Sequence, residues 1–183
     1  MRIITGKLKG RTIPVPKTDE LRPTSDRTKE GIFSVINARK YLDNSAVLDL
    51  FAGSGNLGFE AISRGAEKCL FVDNMPEHIA HIEKLAEKFG VKNQVQTRML
   101  PVDTFLEKQH TRFDFIFADP PYDYYNMSDI IDIIMDENWL KEDGWFILEH
   151  DKRHNFSEHS KCVFSKPYGR TIVSIFKESN VDF

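Results

Sequence analysis

The sequence predicts an α/β fold built on a doubly wound, mostly parallel sheet. The first observation is that, from Ala46 onward, apolar runs of strand length alternate with segments of helical periodicity. The second is a glycine-rich loop between the first such strand and the helix after it. The third is the composition, since 183 residues with 40% hydrophobic and 29% charged residues suffice for one domain with a sizeable core.

A basic N-terminal extension, residues 1–23, is predicted to precede the α/β domain of residues 24–183. Residues 2–5 and 11–15 resemble two short strands around a turn at Gly6 and Gly10, so a hairpin is expected. Thr24 or Ser25 can then cap a helix that ends near Asn37, because a short hydroxyl side chain accepts a hydrogen bond from a free N–H group of the first turn.

The remaining elements are predicted in order from apolar patterns and from the residues that begin and end them. Pro76 can begin a helix, since the N–H that proline lacks is not needed at the first helical position, and Gly90 can end it. The predicted strands are residues 47–51, 68–73, a segment near Val95, 113–118, 145–149, 162–164 and 171–176. The predicted helices are residues 56–64, 76–90, 103–108 and 130–135.

Charge is distributed unevenly along the chain. Residues 1–40 hold ten Lys or Arg and four Asp or Glu, which gives this segment +6 on a chain whose total charge is −3. A basic segment on an acidic body favours contact with a polyanion, and a solvated charged face is the alternative interpretation.

The glycine-rich loop indicates an adenosine cofactor. Gly53, Gly55 and Gly58 match the pattern GxGxxG, and Asp73 ends the next predicted strand twenty residues after Gly53. In dinucleotide sites such glycines let the backbone approach the ligand closely, and the acid binds ribose hydroxyls. S-adenosylmethionine needs the same two features without a pyrophosphate. The pattern therefore leaves open both nicotinamide dinucleotide and S-adenosylmethionine.

Asp49 lies inside the first predicted strand, where a carboxylate is costly unless it has a partner. The ammonium group of a bound cofactor, reached directly or through water, would supply that partner. Asp49 therefore favours S-adenosylmethionine as the ligand of the glycine loop.

The loop Asp119-Pro120-Pro121-Tyr122 follows the fourth predicted strand of the α/β unit, where open sheets hold their ligands. Its two prolines remove two backbone donors, so the loop presents carbonyl acceptors in a stiff arrangement. Asp119 adds acceptors and Tyr122 adds a flat face. This combination suits a planar ring that carries an exocyclic NH2 group. A strand-terminating turn without a ligand is the alternative.

Other features of the sequence carry no chemistry of their own. Cys69 and Cys162 lack metal or redox spacing and are predicted to be reduced thiols, and no metal site is expected. No apolar run has the length of a signal peptide or a membrane span, so a cytoplasmic location is expected. The histidines His78, His81, His154 and His159 are predicted to be surface residues.

The motifs together resemble those of the RsmD family, class I amino-methyltransferases that methylate N2 of one guanine in bacterial 16S ribosomal RNA. The segment Leu48-Asp49-Leu50-Phe51-Ala52-Gly53-Ser54-Gly55 is similar to the cofactor motif, and Asp119-Pro120-Pro121-Tyr122 to the catalytic motif. Arg2-Ile3-Ile4, Gly6-Lys7-Leu8-Lys9-Gly10-Arg11, Leu21-Arg22-Pro23-Thr24 and Asp26-Arg27 narrow the resemblance to this family.

The resemblance implies a seven-stranded sheet with the last strand antiparallel and a small hairpin before it. The expected cofactor is S-adenosylmethionine, with Asp73 on its ribose and Asn74 and Met75 near its adenine. The predicted cofactor contacts are Thr24, Asp49, Phe51, Ala52, Gly53, Ser54, Gly55, Asp73, Asn74, Met75, Pro101 and Val102. The predicted catalytic residues are Asp119, Pro120, Pro121 and Tyr122, and the predicted RNA contacts are Arg2, Lys7, Lys9, Arg11, Arg22 and Arg27.

One position departs from the family pattern. Relatives often carry Asn or Asp followed by a small residue after the third strand, where the adenine amine is bound. Here Pro101-Val102 occupies that position and Asp103 follows it, so backbone contacts or Asp103 would have to replace the usual side chain.

Three classes of function follow from these observations. The first is methyl transfer to guanine N2 of 16S ribosomal RNA, either naked or within a small-subunit ribosomal particle, by a monomer that does not enter a membrane. The second is another amino-methyltransferase, acting on adenine N6 of DNA or glutamine N5 of a protein. The third is an oxidoreductase dependent on nicotinamide dinucleotide, but none of the six histidines occupies the position of a base that handles hydride transfer.

Overall fold

The structure is a computed structural model, and it describes residues 1–15, 25–108, 111–179 and 183. The strands are β1 (Ala46–Leu50), β2 (Lys68–Asp73), β3 (Val95–Met99), β4 (Phe113–Ala118), β5 (Leu140–Asp151), β6 (Cys162–Tyr168) and β7 (Thr171–Phe176). The helices are α1 (Asp26–Arg39), α2 (Asn56–Ser63), α3 (Pro76–Lys88), α4 (Val102–Leu106) and α5 (Met127–Asp136), with a 3₁₀ turn at Lys92–Gln94.

The seven strands form one sheet in the order β3-β2-β1-β4-β5-β7-β6. Neighbouring strands from β3 to β5 are parallel, whereas β7 is antiparallel to both β5 and β6. The predicted fold class and the antiparallel last strand are therefore confirmed. The strand order reverses direction between β1 and β4, and this reversal opens a crevice at the carboxyl ends of these two strands.

Both faces of the sheet are covered, because successive side chains of a strand point to opposite faces. In β4, Phe115 and Phe117 pack with α1, α2 and α3, whereas Ile116 and Ala118 pack with α4 and α5. Fully buried parallel strands need apolar residues on both faces, which explains the continuous apolar runs in the sequence. Among the described residues, no helix combines the length and the apolar character that crossing a membrane requires.

Element boundaries differ from the predictions mainly where polar residues interrupt a strand. The strand predicted at 145–149 extends over Leu140–Asp151 and includes a shift in register against β4 between Phe113 and Phe115. Asp143, in this stretch, has a φ of 59°. An irregularity of this kind breaks the apolar run from which the shorter strand was inferred. Ser25 is the cap of α1, since its Oγ accepts a hydrogen bond from the Thr28 N–H at 3.0 Å.

The N-terminal segment pairs with itself as predicted but forms only an isolated bridge between Arg2 and Thr12. The N–H of Ile3 donates to the Arg11 carbonyl at 2.9 Å, and the N–H of Ile13 to the Met1 carbonyl at 2.8 Å. Ile3 and Ile13 are buried in the same core cluster as α1, α2 and α3. Residues 16–24, which contain the predicted domain boundary, lie outside the described residues, so the division at residue 23 stays a prediction.

A buried network of charges ties this segment to α2. Glu60 is fully buried and accepts hydrogen bonds from the N–H of Ile4 at 2.8 Å and of Thr5 at 3.1 Å. Lys29 lies 3.4 Å from Glu60 and donates to the Arg2 carbonyl at 2.6 Å. Burial lowers the pKa of Lys29, and Glu60 opposes part of that shift. Removing one partner would leave an uncompensated buried charge, so the network fixes the position of the N-terminal segment.

Candidate active site

A cavity of about 400 Å³ lies at the carboxyl ends of β1 and β4, where the strand order reverses. Its size is in the range of small-molecule and cofactor pockets. Its wall is formed mainly by the start of α1, the glycine loop, the end of β2, the Asp-Pro-Pro-Tyr loop (residues 119–122), the end of β5 and the turn between β6 and β7. The predicted residues in this wall are Arg27, Asp49, Phe51, Ala52, Gly53, Ser54, Asp73, Asn74, Met75, Asp119, Pro120, Pro121 and Tyr122.

The glycine loop is shaped by close packing on its helix side. Gly55 precedes α2 with a φ of 78°, and a Cβ at this position would lie 2.8 Å from the ring of Phe59. A Cβ on Gly58 would lie 2.3 Å from the ring of Phe71 in β2. Gly58 therefore allows α2 to approach the sheet, whereas Gly55 leaves room for the Phe59 ring of α2; Gly55 does not contribute to the cavity wall.

Asp73 connects the loops after β1 and β2. Its Oδ2 accepts a hydrogen bond from the Gly53 N–H at 2.9 Å. Its Oδ1 accepts one from the Met75 N–H at 2.9 Å and lies 3.0 Å from His78 Nδ1. A carboxylate can accept about four hydrogen bonds, so Oδ2 retains capacity for a further donor. Asp73 therefore holds the glycine loop in place and can also meet a ligand hydroxyl.

His78 corrects the expectation that this histidine lies on the surface, since it is only 6% exposed and lines the cavity. Pro76 begins α3, so His78 falls in the first turn and lies against the carboxylate of Asp73, which precedes the helix. The sequence did contain a signal for this position: His78 comes two residues after the proline that begins the helix and five residues after the acid that ends β2. His150, at the end of β5, is also buried and lines the cavity.

Asp49 is a buried carboxyl group in the cavity wall, with 2% of its surface exposed. Its Oδ2 accepts a hydrogen bond from the Gly58 N–H at 2.9 Å. The pKa of Asp49 is raised to about 8, mainly by burial; the Gly58 hydrogen bond opposes this rise and the charge of Asp73 adds to it. A cation bound nearby would favour the ionised carboxylate. The site therefore fits a ligand with a positively charged group.

The Asp-Pro-Pro-Tyr loop follows β4 and turns back on itself, since the Tyr124 N–H donates to the Pro121 carbonyl at 2.9 Å. Asp119 is partly buried and Pro120 is buried, whereas 58% of Tyr122 is exposed. The guanidinium of Arg153 lies 3.9 Å from the centroid of the Tyr122 ring. The loop thus presents an acid at its base and an aromatic ring at its outer end.

Sequence reasoning missed the contribution of β5 and the residues after it. Glu149, His150 and Asp151 line the cavity at the end of this strand. Arg153 donates from Nε to Asp151 Oδ2 at 2.9 Å and from Nη2 to the Tyr122 carbonyl at 2.5 Å. The available signal for this part of the site was an acid at the end of a parallel strand, Asp151, with an arginine two residues later. Their contact with Tyr122 depends on β5 lying next to β4 in the sheet.

Several predicted site residues lie elsewhere. Pro101 and Val102 do not belong to the cavity wall. Val102 is buried in the core cluster on the α4 and α5 side of the sheet, and the carboxylate of Asp103 accepts a hydrogen bond from the Tyr124 hydroxyl. The predicted adenine contact at this position therefore gains no support from the cavity. Thr24 and Arg22 lie outside the described residues.

The basic turn of the N-terminal segment lies at the far end of α2 from the glycine loop. The Lys7 N–H donates to the carbonyl of Ser63, the last residue of α2. By contrast, Arg2 lies near the start of α2, because Lys29 Nζ donates both to the Arg2 carbonyl and, at 2.7 Å, to Oδ1 of Asn56, the first residue of that helix. Eight helical residues span about 12 Å. Arg2, Lys7, Lys9 and Arg11 do not line the cavity.

Comparisons with known proteins agree with this architecture. The family model described as "Conserved hypothetical protein 95" matches residues 1–177. The chain is 36% identical to "Putative rRNA methyltransferase YlbH" of Bacillus subtilis, over 97% of this chain and 99% of that protein. It is 34% identical to "Ribosomal RNA small subunit methyltransferase D" of Haemophilus influenzae, over 83% of this chain and 79% of that protein.

A solved structure shows the same fold over almost the whole chain. This structure, "Putative methyltransferase yhhF from Escherichia coli", superposes with a TM-score of 0.83 at 26% identity and covers 96% of both chains. The family model matches residues 1–177, and the chain is similar in sequence to two methyltransferases. Both findings are consistent with a ligand cavity at the point where the strand order reverses. The chain therefore belongs to the RsmD family of methyltransferases.

Proposed function

We propose that this protein transfers a methyl group from S-adenosylmethionine to the N2 amine of a guanine in small-subunit ribosomal RNA. The observation that carries the proposal is that the Asp-Pro-Pro-Tyr loop and the glycine loop, which follow the adjacent parallel strands β4 and β1, line the same cavity. The substrate class is supported by the relatives, whose names give ribosomal RNA, and for one of them the small subunit, as what they act on.

The cofactor would be held by the glycine loop and two acids. Asp73 would bind the ribose hydroxyls through the remaining capacity of its Oδ2, and Asn74 and Met75 would lie near the adenine. Asp49 would lie near the ammonium group, whose positive charge would stabilise the ionised form of this buried carboxyl group. When bound, S-adenosylmethionine supplies a methyl group on a sulfonium ion, which is a carbon electrophile.

Asp119 and Pro120 would prepare the acceptor amine. The lone pair of a guanine amine delocalises into the ring, which makes the amine a poor nucleophile. Acceptors at Asp119 Oδ and the Pro120 carbonyl would orient the NH2 group and favour a pyramidal nitrogen. Asp119 and Pro120 would thereby aim this nitrogen at the methyl carbon that the cofactor would supply, and the electron pair of the broken carbon–sulfur bond would remain on the departing thioether. The alkylated amine is acidic and loses its proton to Asp119 or to water.

Tyr122 would hold the base by stacking, which contributes roughly 1–3 kcal/mol per base. We expect Tyr122→Phe to lose little activity and Tyr122→Ala to lose roughly 10- to 100-fold in kcat/KM, because phenylalanine keeps the aromatic face. Steady-state kinetics with RNA at saturating cofactor measures both variants. Equal losses in the two variants would assign the role to the hydroxyl group instead.

The proposal is tested by incubating the wild-type protein with a methyl-labelled cofactor and unmodified small-subunit RNA or ribosomal particles. Nucleoside analysis should give N2-methylguanosine. Labelled N6-methyladenine from DNA or labelled glutamine from a protein would redirect the proposal to the other amino-methyltransferases. Binding of nicotinamide dinucleotide in preference to S-adenosylmethionine, measured by calorimetry, would overturn it.

The basic N-terminal segment would contact RNA phosphates away from the cavity. Replacing Lys7, Lys9 and Arg11 with Ala should weaken RNA binding and reduce the salt slope of log K by roughly two to three units, because fewer counterions are released on binding. Cofactor affinity should barely change, since none of the three residues lines the cavity. Fluorescence anisotropy over a series of salt concentrations measures the slope.

A second triple variant controls for net charge. Lys108, Arg112 and Lys141 are exposed, and the hydrophobic residues around Lys108 and Arg112 pack with α4 and α5 rather than with α2. Their replacement with Ala removes the same charge and should leave the slope within about half a unit of the wild-type value. Equal loss of RNA affinity in both triple variants would indicate that the N-terminal segment is a solvated basic surface and not a specific RNA contact.

A further inference from the structure

Arg153 makes three kinds of contact with its surroundings, and two of them involve Tyr122. Its guanidinium lies over the Tyr122 ring, 3.9 Å from the centroid. Its Nη2 donates to the Tyr122 carbonyl at 2.5 Å. The same Nη2 also donates to Asp151 Oδ2 at 2.6 Å. Arg153 therefore holds both the backbone and the ring of Tyr122.

Asp151 anchors Arg153 to the sheet. Asp151 is the last residue of β5, and its Oδ1 accepts a hydrogen bond from the Arg153 backbone N–H at 2.7 Å. The hydrogen bonds from the Arg153 side chain lower the pKa of Asp151 to about 2, so the carboxylate stays ionised near neutral pH. Because β5 pairs with β4 and Ala118 lies opposite Leu148, this anchor and the Asp-Pro-Pro-Tyr loop leave the sheet at the same edge.

The two faces of the Tyr122 ring have different surroundings. Tyr122 and Asp151 contribute to the cavity wall, whereas Arg153 does not. One face of the Tyr122 ring is thus covered by a residue that does not belong to the cavity wall. Although 58% of Tyr122 is exposed, one of its faces already has a planar cation on it. Only the other face is available to a base that enters the cavity.

We propose that Arg153 is a positioning residue that covers one face of the Tyr122 ring and holds the ring in place, so that a base stacks on the opposite face. The inference rests on the proposed function, because it assigns a support to the ring that would bind the base. Arginine suits this position, since a planar guanidinium can stack on an aromatic face and donate to two acceptors at once. A side chain anchored to β5 limits rotation of an otherwise exposed tyrosine.

The first test separates this role from a simple contact with RNA phosphate. Arg153→Ala should lower methyl transfer by roughly 5- to 20-fold, mainly in kcat, because the base is misplaced rather than lost. Arg153→Lys keeps the charge but not the planar stack, so it should restore less than half of the lost activity. Lys152→Ala removes a neighbouring exposed charge and should stay within about twofold of wild type.

A double-mutant cycle then asks whether Arg153 acts through Tyr122. The variant that combines Arg153→Ala with Tyr122→Ala should be no less active than Tyr122→Ala alone, because the support has no effect once the ring is gone. Losses that multiply in the double variant would overturn the proposal. Full activity of Arg153→Lys, or an equal loss in Lys152→Ala, would also overturn the proposal, because either result would show that Arg153 acts only through its positive charge.

A binding measurement keeps the inference separate from the identity of the substrate. A short single-stranded RNA that carries 2-aminopurine in place of its purines should be quenched on binding when a base stacks on Tyr122. Arg153→Ala should reduce this quenching and Lys152→Ala should not. Quenching that is unchanged in Arg153→Ala would refute the positioning role even if the wild-type protein methylates ribosomal RNA. Reduced quenching without any methylation would instead count against the proposed function alone.

Discussion

Asp119→Ala is expected to abolish most methyl transfer, with a loss of roughly 10²–10³-fold in kcat, while cofactor affinity stays within about twofold. The reason is that Asp119 belongs to the loop after β4, whereas the predicted cofactor contacts of the glycine loop and Asp73 follow β1 and end β2. Its acceptors would act on the amine and not on the cofactor. Single-turnover kinetics with RNA gives the rate, and calorimetry gives the cofactor affinity.

Asp119→Asn is the matched control for this prediction. The amide keeps one carbonyl acceptor and the shape of the side chain but loses the negative charge. If orientation of the amine is the main role, this variant should keep clearly more activity than Asp119→Ala. Equal inactivity of the two variants would show that the charge itself is needed, and normal transfer by Asp119→Ala would remove Asp119 from the mechanism.

Asp73→Ala is expected to weaken cofactor binding by at least roughly 10- to 150-fold. One charge-assisted hydrogen bond contributes about 1.5–3 kcal/mol, and a second bond to the ribose would increase the loss. The variant should also unfold at a lower temperature, because the N–H groups of Gly53 and Met75 lose their acceptor. Isothermal calorimetry and thermal unfolding measure the two effects separately.

His78→Ala serves as the control that leaves the carboxylate in place. It removes one partner of Asp73 Oδ1 without removing the acceptor that would bind the ribose, so cofactor affinity should fall by less than about tenfold. At saturating cofactor, Asp73→Ala should recover most of the wild-type kcat because the residue does not contact the amine. Unchanged affinity in a folded Asp73→Ala variant would exclude Asp73 as the ribose ligand.

The fold and the centre of the site could be predicted because they depend on local patterns. The apolar run of β4 and the loop after it identify both a buried strand and its carboxyl end, and the rule that ligands bind where strand order reverses adds the location. The glycine loop and Asp73 are joined by a hydrogen bond at 2.9 Å, as expected for two motifs on adjacent parallel strands.

The parts that could not be predicted depend on contacts between distant segments. Arg153 meets Tyr122 across 31 residues of sequence, and no periodicity encodes this contact. The surface prediction for His78 is wrong because the contact of its ring with Asp73, which precedes the helix, is not encoded in the apolar periodicity of α3. The place of Lys7 at the far end of α2 follows from the docking of the N-terminal segment, which net charge alone does not reveal.

The docking of residues 2–5 on Glu60 has a consequence for how the chain acquires its structure during synthesis. Ile4 and Thr5 are synthesised before Glu60, because the carboxylate that receives their N–H groups comes 56 and 55 residues later. These N–H groups therefore cannot reach this acceptor until α2 has been synthesised. Conversely, the carboxylate buried in α2 gains these two donors only when residues 2–5 dock on it. The docking of the N-terminal segment and the packing of the helix that begins at the glycine loop thus depend on each other.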